Sequence, residues 1–335
     1  MHSPLPALIA AVAVLGACFA PCATREPTEG AGESEGDGLV IEVMSFNLRW
    51  RRDPAPNSWE TRQALVLELL RAEAPAVVGL QESRAEYLDT LLPQLPEYAA
   101  YPPAGSRQNS ILYCKSRFRL DARTSDAANA RVDAPAADWG EGSVRLPRSA
   151  RLVDERSGVG FYVYNNHFDH RFAASRLWSA GVLMDRVRAR TFDDPVILTG
   201  DFNATPSEPA VAVLRGKSPM GEDEVDRPLQ FVDTFGRLHP DGIGTGTYHD
   251  FLGIRFGPRI DYVFAGPDIR VRSARILRFE RDGRYPSDHF PVAATLVLEA
   301  TDASTSLSTQ ETSDDLEPGA AAQIASGGCP FDVSP

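Results

Sequence analysis

An acidic residue and an amide follow a short apolar run near residue 200. The run Pro195–Leu198 is typical of a buried strand, and Gly200 interrupts it where the backbone turns. Asp201 and Asn203 come next, two residues apart, so their side chains can point the same way. A carboxylate and an amide at a strand end suit an oxygen-ligated cation or an attacking water. The same pair could also cap its own loop backbone, so other residues have to decide between the two interpretations.

Two strands near the beginning of the core also end on polar side chains. Residues 40–48 are strand-like and carry Asn47 near their end, and the apolar run from Val77 ends on Glu82. A strand–helix–strand unit would bring Asn47 and Glu82 to neighbouring strand ends, where their oxygens converge. Glu82 alone would be interpreted as a surface acid or a helix cap.

Histidines follow later strands. The strand predicted at Gly160–His167 is followed by Asp169 and His170, and two histidines around an aspartate favour a functional interpretation over the structural one that a lone histidine would receive. Another strand, predicted at Arg259–Phe264, carries Asp261 near its start.

The remaining pattern predicts the elements that position these residues. Asp288 and His289 precede a last strand at Ala293–Leu298. Helices are predicted from Asn57 to Ala72, over 85–95, from Ala174 to Arg190, and from a cap at Ser207 to Gly216, with a long loop over 120–143. Alternation of strands and helices along the core predicts an α/β fold.

The charge is concentrated in the tails. The formal net charge is −12, yet residues 39–299 carry 33 basic and 35 acidic side chains. The core therefore lacks the overall basic field that non-specific nucleic-acid binding requires. The four cysteines are too scattered to define a disulfide scaffold or a zinc site, and Cys114 is predicted to be a small buried hydrophobic residue.

Both ends of the chain differ in composition from the core. The apolar residues Leu5–Ala17 predict a signal peptide, and the sequence that ends on Cys18 is typical of a bacterial lipobox. We therefore expect an extracytoplasmic lipoprotein anchored to the membrane at Cys18, with ordinary secretion as the alternative. The predicted organisation is a signal peptide at 1–17, a flexible acidic linker at 18–38, a folded domain at 39–299 and a disordered acidic tail at 300–335.

Short motifs occur in a fixed order along the core. They are Ser45-Phe46-Asn47-Leu48-Arg49, Leu80-Gln81-Glu82, Asn166-His167-Phe168-Asp169-His170, Gly200-Asp201-Phe202-Asn203, and Arg259-Ile260-Asp261-Tyr262 with Ser287-Asp288-His289. The ordered set resembles the endonuclease/exonuclease/phosphatase family, which includes deoxyribonuclease-like nucleases, bacterial sphingomyelinases and inositol phosphatases. This resemblance implies a four-layer α/β/β/α sandwich, in which two mixed β-sheets pack face to face with helices outside. It also implies hydrolysis of phosphoester bonds with a divalent cation, Mg²⁺ or Mn²⁺.

The resemblance further implies roles for individual residues. Glu82 would be the main metal carboxylate, with Asn47 and Asp288 beside it. Asp201 would activate the attacking water, and Asn203 would hold that water or a phosphate oxygen.

The two histidines complete the implied site. His289, oriented by Asp261, would stabilise charge on phosphorus or move a proton, and His167 would donate to a non-bridging oxygen. Which histidine is the acid and which the base stays open. Further candidates for substrate contacts are Arg49, Asp169, His170 and Arg176.

These observations favour a monomeric, metal-dependent phosphodiesterase or phosphatase. Its substrate could be a nucleic acid, a phospholipid head group or a small phosphodiester, because no substrate-loop motif distinguishes them. A catalytically inactive binding module on the same fold and an interaction protein tethered through its acidic tails are the alternatives. Retention of all the catalytic residue types argues against the inactive module, and only the tails support the interaction protein.

Overall fold

The computed structural model describes residues 38–50, 53–102, 109–126, 147–217 and 229–299. The predicted signal peptide, all but the last residue of the linker and the C-terminal tail lie outside the described residues, so these predictions stay open. In the part of the chain that the structure describes, no helix is both long and apolar enough to cross a membrane.

The described residues contain twelve strands and five α-helices. The strands are β1 (Leu39–Asn47), β2 (Val77–Gln81), β3 (Tyr98–Tyr101), β4 (Asn109–Cys114), β5 (Phe118–Asp126), β6 (Arg148–Asp154), β7 (Gly160–His167), β8 (Val196–Asp201), β9 (Val232–Asp233), β10 (Asp261–Ala265), β11 (Ile269–Ile276) and β12 (Val292–Leu298). The helices are α1 (Trp59–Glu73), α2 (Ala85–Leu91), α3 (Ala173–Arg188), α4 (Pro209–Leu214) and α5 (Thr234–Leu238), and a short 3-10 helix, Leu92–Gln94, follows α2.

The strands form two mixed sheets of six strands each. The first sheet has the order β11-β12-β1-β2-β4-β3 and the second has the order β5-β6-β7-β8-β10-β9. Each sheet contains one parallel pair, β1 with β2 and β7 with β8, flanked by antiparallel strands. Helices α1 and α3 make the crossover connections that parallel neighbours require.

Apolar side chains fill three layers between and outside the sheets. The inner layer includes Val43, Phe161 and Val263, and it lies between the two sheets. Helices α1 and α2 cover the outer face of the first sheet, and α3 and α4 cover that of the second. The predicted four-layer sandwich is therefore confirmed, and Cys114 belongs to the inner layer as a fully buried side chain.

A polar contact joins the two sheets beneath the strand ends of interest. Gln81 Nε2 donates to Asn165 Oδ1 at 2.6 Å, and Thr199 Oγ1 donates to the same oxygen at 3.2 Å. Asn165 Nδ2 donates in turn to the carbonyl oxygen of Leu80 at 2.8 Å. Gly79 permits this close approach, since a Cβ atom there would lie 2.1 Å from Thr199 Oγ1. Hydrogen bonds are directional, so they fix the register of the two sheets where nonpolar packing alone would not.

The prediction of a loop at 120–143 is wrong for residues 120–126. Residues up to Asp126 belong to β5, and 127–143 lie outside the described residues. Strand β5 lies at one edge of its sheet. Charged side chains are common on edge strands, and here the polar side chains interrupt the alternation of apolar and polar residues that would predict a strand.

Two predicted helix caps are also displaced. The N-cap of α1 is Ser58 instead of Asn57, and the N-cap of α4 is Glu208 instead of Ser207. Neither cap residue makes a side-chain capping hydrogen bond to a backbone N–H of its own helix. Glu208 Oε1 instead accepts from the backbone N–H of Thr205 at 3.0 Å, which shapes the loop before the helix.

Candidate active site

The parallel strand pairs bring four of the predicted residues together. Asn47 ends β1, and Glu82 directly follows β2, which is its neighbour. His167 ends β7 and lies opposite Asp201, the last residue of β8, in the register of the second sheet. The two sheets meet at this edge, because Asn47 Nδ2 lies 3.0 Å from Asp201 Oδ2.

Asn47 links the two sheets at this edge. Its Nδ2 also lies 3.3 Å from Glu82 Oε1, so a single amide contacts carboxylates from both sheets. Its Oδ1 accepts from the backbone N–H of Arg49 at 2.9 Å, which fixes the amide orientation. The second oxygen of Glu82 accepts from the backbone N–H of Trp50 at 2.7 Å. Glu82 adopts a left-handed backbone with φ of 54°, which turns the chain away from the strand.

Asp201 caps its own loop with one carboxylate oxygen and faces the cluster with the other. Oδ1 accepts from the backbone N–H of Asn203 at 2.9 Å, as in a self-capping loop. Oδ2 faces Asn47 and lies 3.6 Å from His167 Nε2. Asn203 in turn donates from Nδ2 to the carbonyl oxygen of Phe168 at 3.0 Å.

His289 and Asp261 form a buried pair. His289 Nδ1 lies 2.8 Å from Asp261 Oδ2, and Nε2 of the same imidazole lies 3.9 Å from Asp201 Oδ2. Thr247 Oγ1 accepts from the backbone N–H of Asp261 at 3.1 Å and so fixes the start of β10. The sequence prediction that these residues are neighbours is matched by the geometry.

Burial and charge shift the pKa values of this cluster. Burial and the neighbouring carboxylate of Asp261 raise the pKa of Asp201 to about 7, although His289 opposes the shift. Burial alone would lower the pKa of His289, but Asp261, Asp288 and Asp201 together raise it well above its usual value. A carboxylate that titrates near neutrality beside a charged imidazole is suited to proton transfer.

Asp288 is placed beside an arginine. Asp288 is fully buried, and its Oδ2 lies 2.8 Å from Nη1 of Arg49. Ser287 Oγ donates to the carbonyl oxygen of Asn47 at 2.7 Å, which ties this segment to the end of β1. Arg49 also contacts Asp53, with Nε 3.1 Å from Oδ2.

The donor set fits a magnesium-type cation. Asn47, Glu82 and Asp288 offer amide and carboxylate oxygens, the ligands that Mg²⁺ prefers. Several carboxylates lie close together at this buried edge, and burial, together with the neighbouring carboxylate of Asp261, raises the pKa of Asp201. Within the described residues, ligand atoms of Asp201, Asp261 and His289 also lie within 4.8 Å of one another. A divalent cation would relieve this excess of negative charge.

Three of the predicted substrate contacts lie apart from this cluster. Asp169 Oδ1 accepts from the backbone N–H groups of Arg171 and Phe172, at 2.8 and 2.9 Å, and so shapes the turn before α3. Arg176 Nη2 lies 2.5 Å from Glu208 Oε2, where the pair joins α3 to the segment before α4. The side chain of His170 is exposed on the same turn. These contacts favour structural roles for Asp169 and Arg176.

The sequence analysis missed a loop that lies against His289. Tyr248 forms an isolated β-bridge with His289, and the two rings are 5.1 Å apart. His249 stacks on Phe290 at 3.8 Å, and burial lowers the pKa of His249 to about 4, so its ring is neutral. The same loop exposes Ile243, Leu252, Ile254 and Phe256. The Thr-Tyr-His-Asp-Phe sequence at 247–251, dense in aromatic residues, was the available signal.

The sequence of this chain is similar to those of several known proteins. The chain is 28% identical over 280 residues to nocturnin of Drosophila melanogaster, covering 72% of this chain and 42% of that protein. It spans between 42% and 59% of the length of the curated relatives that it matches.

Solved structures of other proteins are similar to this one. A mannosyl-6-phosphatase of Bacteroides thetaiotaomicron superimposes with a TM-score of 0.60 at 21% identity, covering 77% of this chain and all of that one. Danio rerio TDP2 complexed with a single-strand DNA product superimposes with a TM-score of 0.57 at 19% identity, covering 77% of this chain and 98% of that one. At these identities the likeness shows a shared fold.

The sequence profile of the Endonuclease/Exonuclease/phosphatase family matches residues 44–289, which include every strand end described above. The chain therefore belongs to the endonuclease/exonuclease/phosphatase family, whose members hydrolyse phosphoester bonds.

Proposed function

We propose that this protein is a divalent-metal-dependent phosphodiesterase or phosphatase. The observation that carries the proposal is the hydrogen-bonded chain from Glu82 through Asn47 to Asp201, with the Asp261–His289 pair beside it. It places candidate metal ligands and candidate proton-transfer groups at one edge of the sandwich, as in-line attack on phosphorus requires.

Asp201 is the proposed acceptor for the proton of the attacking water. Its Oδ1 is held by the backbone of Asn203, which leaves Oδ2 facing the cluster. A pKa near 7 lets a carboxylate accept this proton at neutral pH. The Asn203 amide has a second N–H, which in this proposal holds the water or a phosphate oxygen.

His289 is the proposed donor to the phosphate. Asp261 accepts its Nδ1–H, which fixes the ring and favours the imidazolium, so Nε2–H points toward the reacting group. His167 Nε2 lies 3.6 Å from the same Asp201 oxygen, Oδ2, and would donate to a non-bridging oxygen. Both donors stabilise charge that increases during the reaction.

Glu82, Asn47 and Asp288 would hold the cation, Mg²⁺ or Mn²⁺. When bound, it would polarise the phosphoester and neutralise charge on its oxygens. Arg49 contacts Asp288 and lies close enough to this set to contribute to phosphate binding.

The charge of the core and the exposed side chains near His289 bear on the class of substrate. The core is nearly neutral, which disfavours a long duplex held by charge alone. The exposed apolar side chains of the loop beside His289, with Phe256 78% exposed, favour a phosphoester that carries an apolar or planar group. Sphingomyelin-like lipids and single-stranded nucleic acids both carry such a group. Sugar and inositol phosphates lack one, so they are the comparison substrates.

The location proposed for this activity is the outer side of a bacterial membrane. The apolar residues Leu5–Ala17 and the cysteine that follows them support a lipid anchor at Cys18.

The decisive experiment is hydrolysis by the purified protein with and without Mg²⁺. We expect turnover of DNA, RNA, sphingomyelin, inositol phosphates or mannose 6-phosphate that chelation abolishes. Asp201→Asn should reduce turnover by about 10²-fold or more, because it removes the proton acceptor at nearly constant shape. An inactive wild type that binds these phosphoesters would favour a binding module, and full turnover in Asp201→Asn would exclude Asp201 from the chemistry.

A further inference from the structure

Arg62 is a buried arginine on α1 whose hydrogen-bond acceptors are all backbone carbonyl groups. Its side chain is 1% exposed. Nη1 donates to the carbonyl oxygens of Leu48 at 3.0 Å and Pro286 at 2.7 Å, Nη2 donates to Arg49 at 2.9 Å, and Nε donates to Asn57 at 2.7 Å. One guanidinium therefore joins the segments of Leu48–Arg49 and Asn57 to Pro286, which is far from both in sequence.

Burial of this charge is costly. A buried ionised group loses its hydration, and burial lowers the pKa of Arg62 as a consequence. Its four acceptors are neutral, so no ion pair with them compensates the loss. The planar guanidinium provides five N–H donors in a fixed arrangement, which no other side chain can supply. Its geometry, as well as its charge, therefore matters at this position.

The segments that Arg62 joins carry candidate metal ligands. Leu48 and Arg49 directly follow Asn47, and Pro286 lies two residues before Asp288. The same two segments touch again through Ser287 Oγ and the carbonyl oxygen of Asn47, at 2.7 Å, and through Arg49 and Asp288.

We infer that Arg62 is a positioning residue that holds the segments of Asn47 and Asp288 at the separation a divalent cation needs. This inference rests on the proposed metal-dependent function. Groups that orient metal ligands commonly change metal affinity about 10–100-fold when they are replaced. Arg62 would act in this way through the backbone of the ligands, without touching the cation or the substrate.

Arg117 provides a matched control. It also contacts a backbone carbonyl, that of Val40, and a buried carboxylate, that of Asp154. Val40 lies near the start of β1, whereas Asn47 lies at its end, so Arg117 is remote from the site. Its replacement should alter stability without altering the metal ligands.

Mn²⁺ affinity, measured by electron paramagnetic resonance on the purified protein, tests the inference. Arg62→Lys keeps the charge but replaces the planar donor group with one ammonium, and Arg62→Met removes both. We expect each to bind Mn²⁺ at least about 10-fold more weakly than wild type, whereas Arg117→Lys binds within twofold of it. Folded Arg62 variants with wild-type affinity would overturn the inference.

A second measurement needs no variant. In wild-type protein with ¹⁵N-labelled arginine, the Nε–H resonance of Arg62 should shift during a Mg²⁺ titration with the midpoint of metal binding. An unchanged resonance at saturating Mg²⁺ would overturn the inference even if the Arg62 variants fail to fold.

The outcomes separate this inference from the proposed function. Mn²⁺ binding that depends on Arg62 without phosphoester hydrolysis would remove the proposed function and leave the positioning role. Metal-dependent hydrolysis by the wild type, combined with wild-type Mn²⁺ affinity in folded Arg62→Lys, would overturn the positioning role and leave the proposed function. A wild type that binds neither Mn²⁺ nor Mg²⁺ would overturn both.

Discussion

His289 Nδ1 lies 2.8 Å from Oδ2 of Asp261, and both side chains are buried beside Asp201. This contact predicts that the two residues act as a unit. His289→Ala should lower turnover by about 10²-fold or more, and Asp261→Asn should lower it less, since it disturbs only the orientation and charge of the imidazole. The double variant should be scarcely worse than His289→Ala, because effects within a unit are not additive. Steady-state turnover of the four proteins on one phosphodiester at saturating Mg²⁺ is the measurement, and multiplicative losses would contradict the pairing.

Glu82→Gln should weaken Mg²⁺ binding by about 10-fold or more, because it removes a ligand charge while it nearly keeps the side-chain shape. Isothermal titration calorimetry measures the affinity, and circular dichroism checks the fold. Glu86→Gln is the matched control, since Glu86 is an exposed acid four residues away that pairs with Arg84. Equal Mg²⁺ affinity in Glu82→Gln and wild type would mean that Glu82 is not a ligand.

Asp154 should stabilise the protein in a pH-dependent way. Burial would raise its pKa, but hydrogen bonds from Ser157 and the ion pair with Arg117 hold it below its usual value. A lowered folded-state pKa contributes stability above the unfolded value of about 3.9 and loses it as pH falls through the folded value. Asp154→Asn should therefore lower the unfolding free energy at pH 7, and its deficit relative to wild type should shrink below pH 4.

Urea unfolding at a series of pH values measures this difference. The control is Asp193→Asn, at an exposed acid that pairs with Arg190. A deficit in Asp154→Asn that is the same at every pH would show that the carboxylate charge does not contribute.

Gly79→Ala should destabilise the protein by about 1–3 kcal/mol, because its Cβ would lie 2.1 Å from Thr199 Oγ1 and push the sheets apart. Gly181→Ala is the matched control in α3, where a Cβ meets no neighbour within 4 Å. That change should stabilise by about 0.5–1 kcal/mol, since alanine favours a helix over glycine. Denaturant midpoints of the two variants measure both effects, and a neutral Gly79→Ala would show that the sheets can separate at this point without cost.

Cys18 should carry lipid after removal of residues 1–17. Mass spectrometry of protein from the membranes of a bacterial host should find the modification on Cys18, and Cys18→Ser should release the protein from the membrane fraction. Cys22→Ser, four residues further along, should remain in that fraction. An intact N-terminus or cleavage beyond Cys18 would exclude the anchor.

The sequence predicted the strand ends well because each carries strong local signals. A buried apolar run followed by a polar residue marks Asn47, Glu82 and Asp201, and the register of parallel neighbours then brings such ends together. The pairing of Asp261 with His289 came from the resemblance, since 28 positions separate the two residues and no local pattern joins them.

Edge strands and tertiary partners explain what the sequence analysis missed. β5 is polar, and β11, from Ile269 to Ile276, does not keep one period of two, because its register shifts between Val271 and Ser273. Arg62 and His249 could not be recognised, because their roles depend on carbonyl groups and rings supplied by distant segments. Asp169, a candidate substrate contact, also accepts hydrogen bonds from the backbone of its own turn, which the motif did not indicate.

The two parallel strand pairs of this molecule have the same surroundings. Strands β12, β1, β2 and β4 follow one another with antiparallel, parallel and antiparallel pairing, and β6, β7, β8 and β10 repeat that sequence in the facing sheet. The two sheets thus repeat one pattern of strand directions around their parallel pairs. Asn47 and Glu82 lie at the end of the parallel pair in one sheet, and His167 and Asp201 lie at the end of the pair in the other. The candidate site therefore exists only where the two sheets meet, because either sheet alone would lack two of these four side chains.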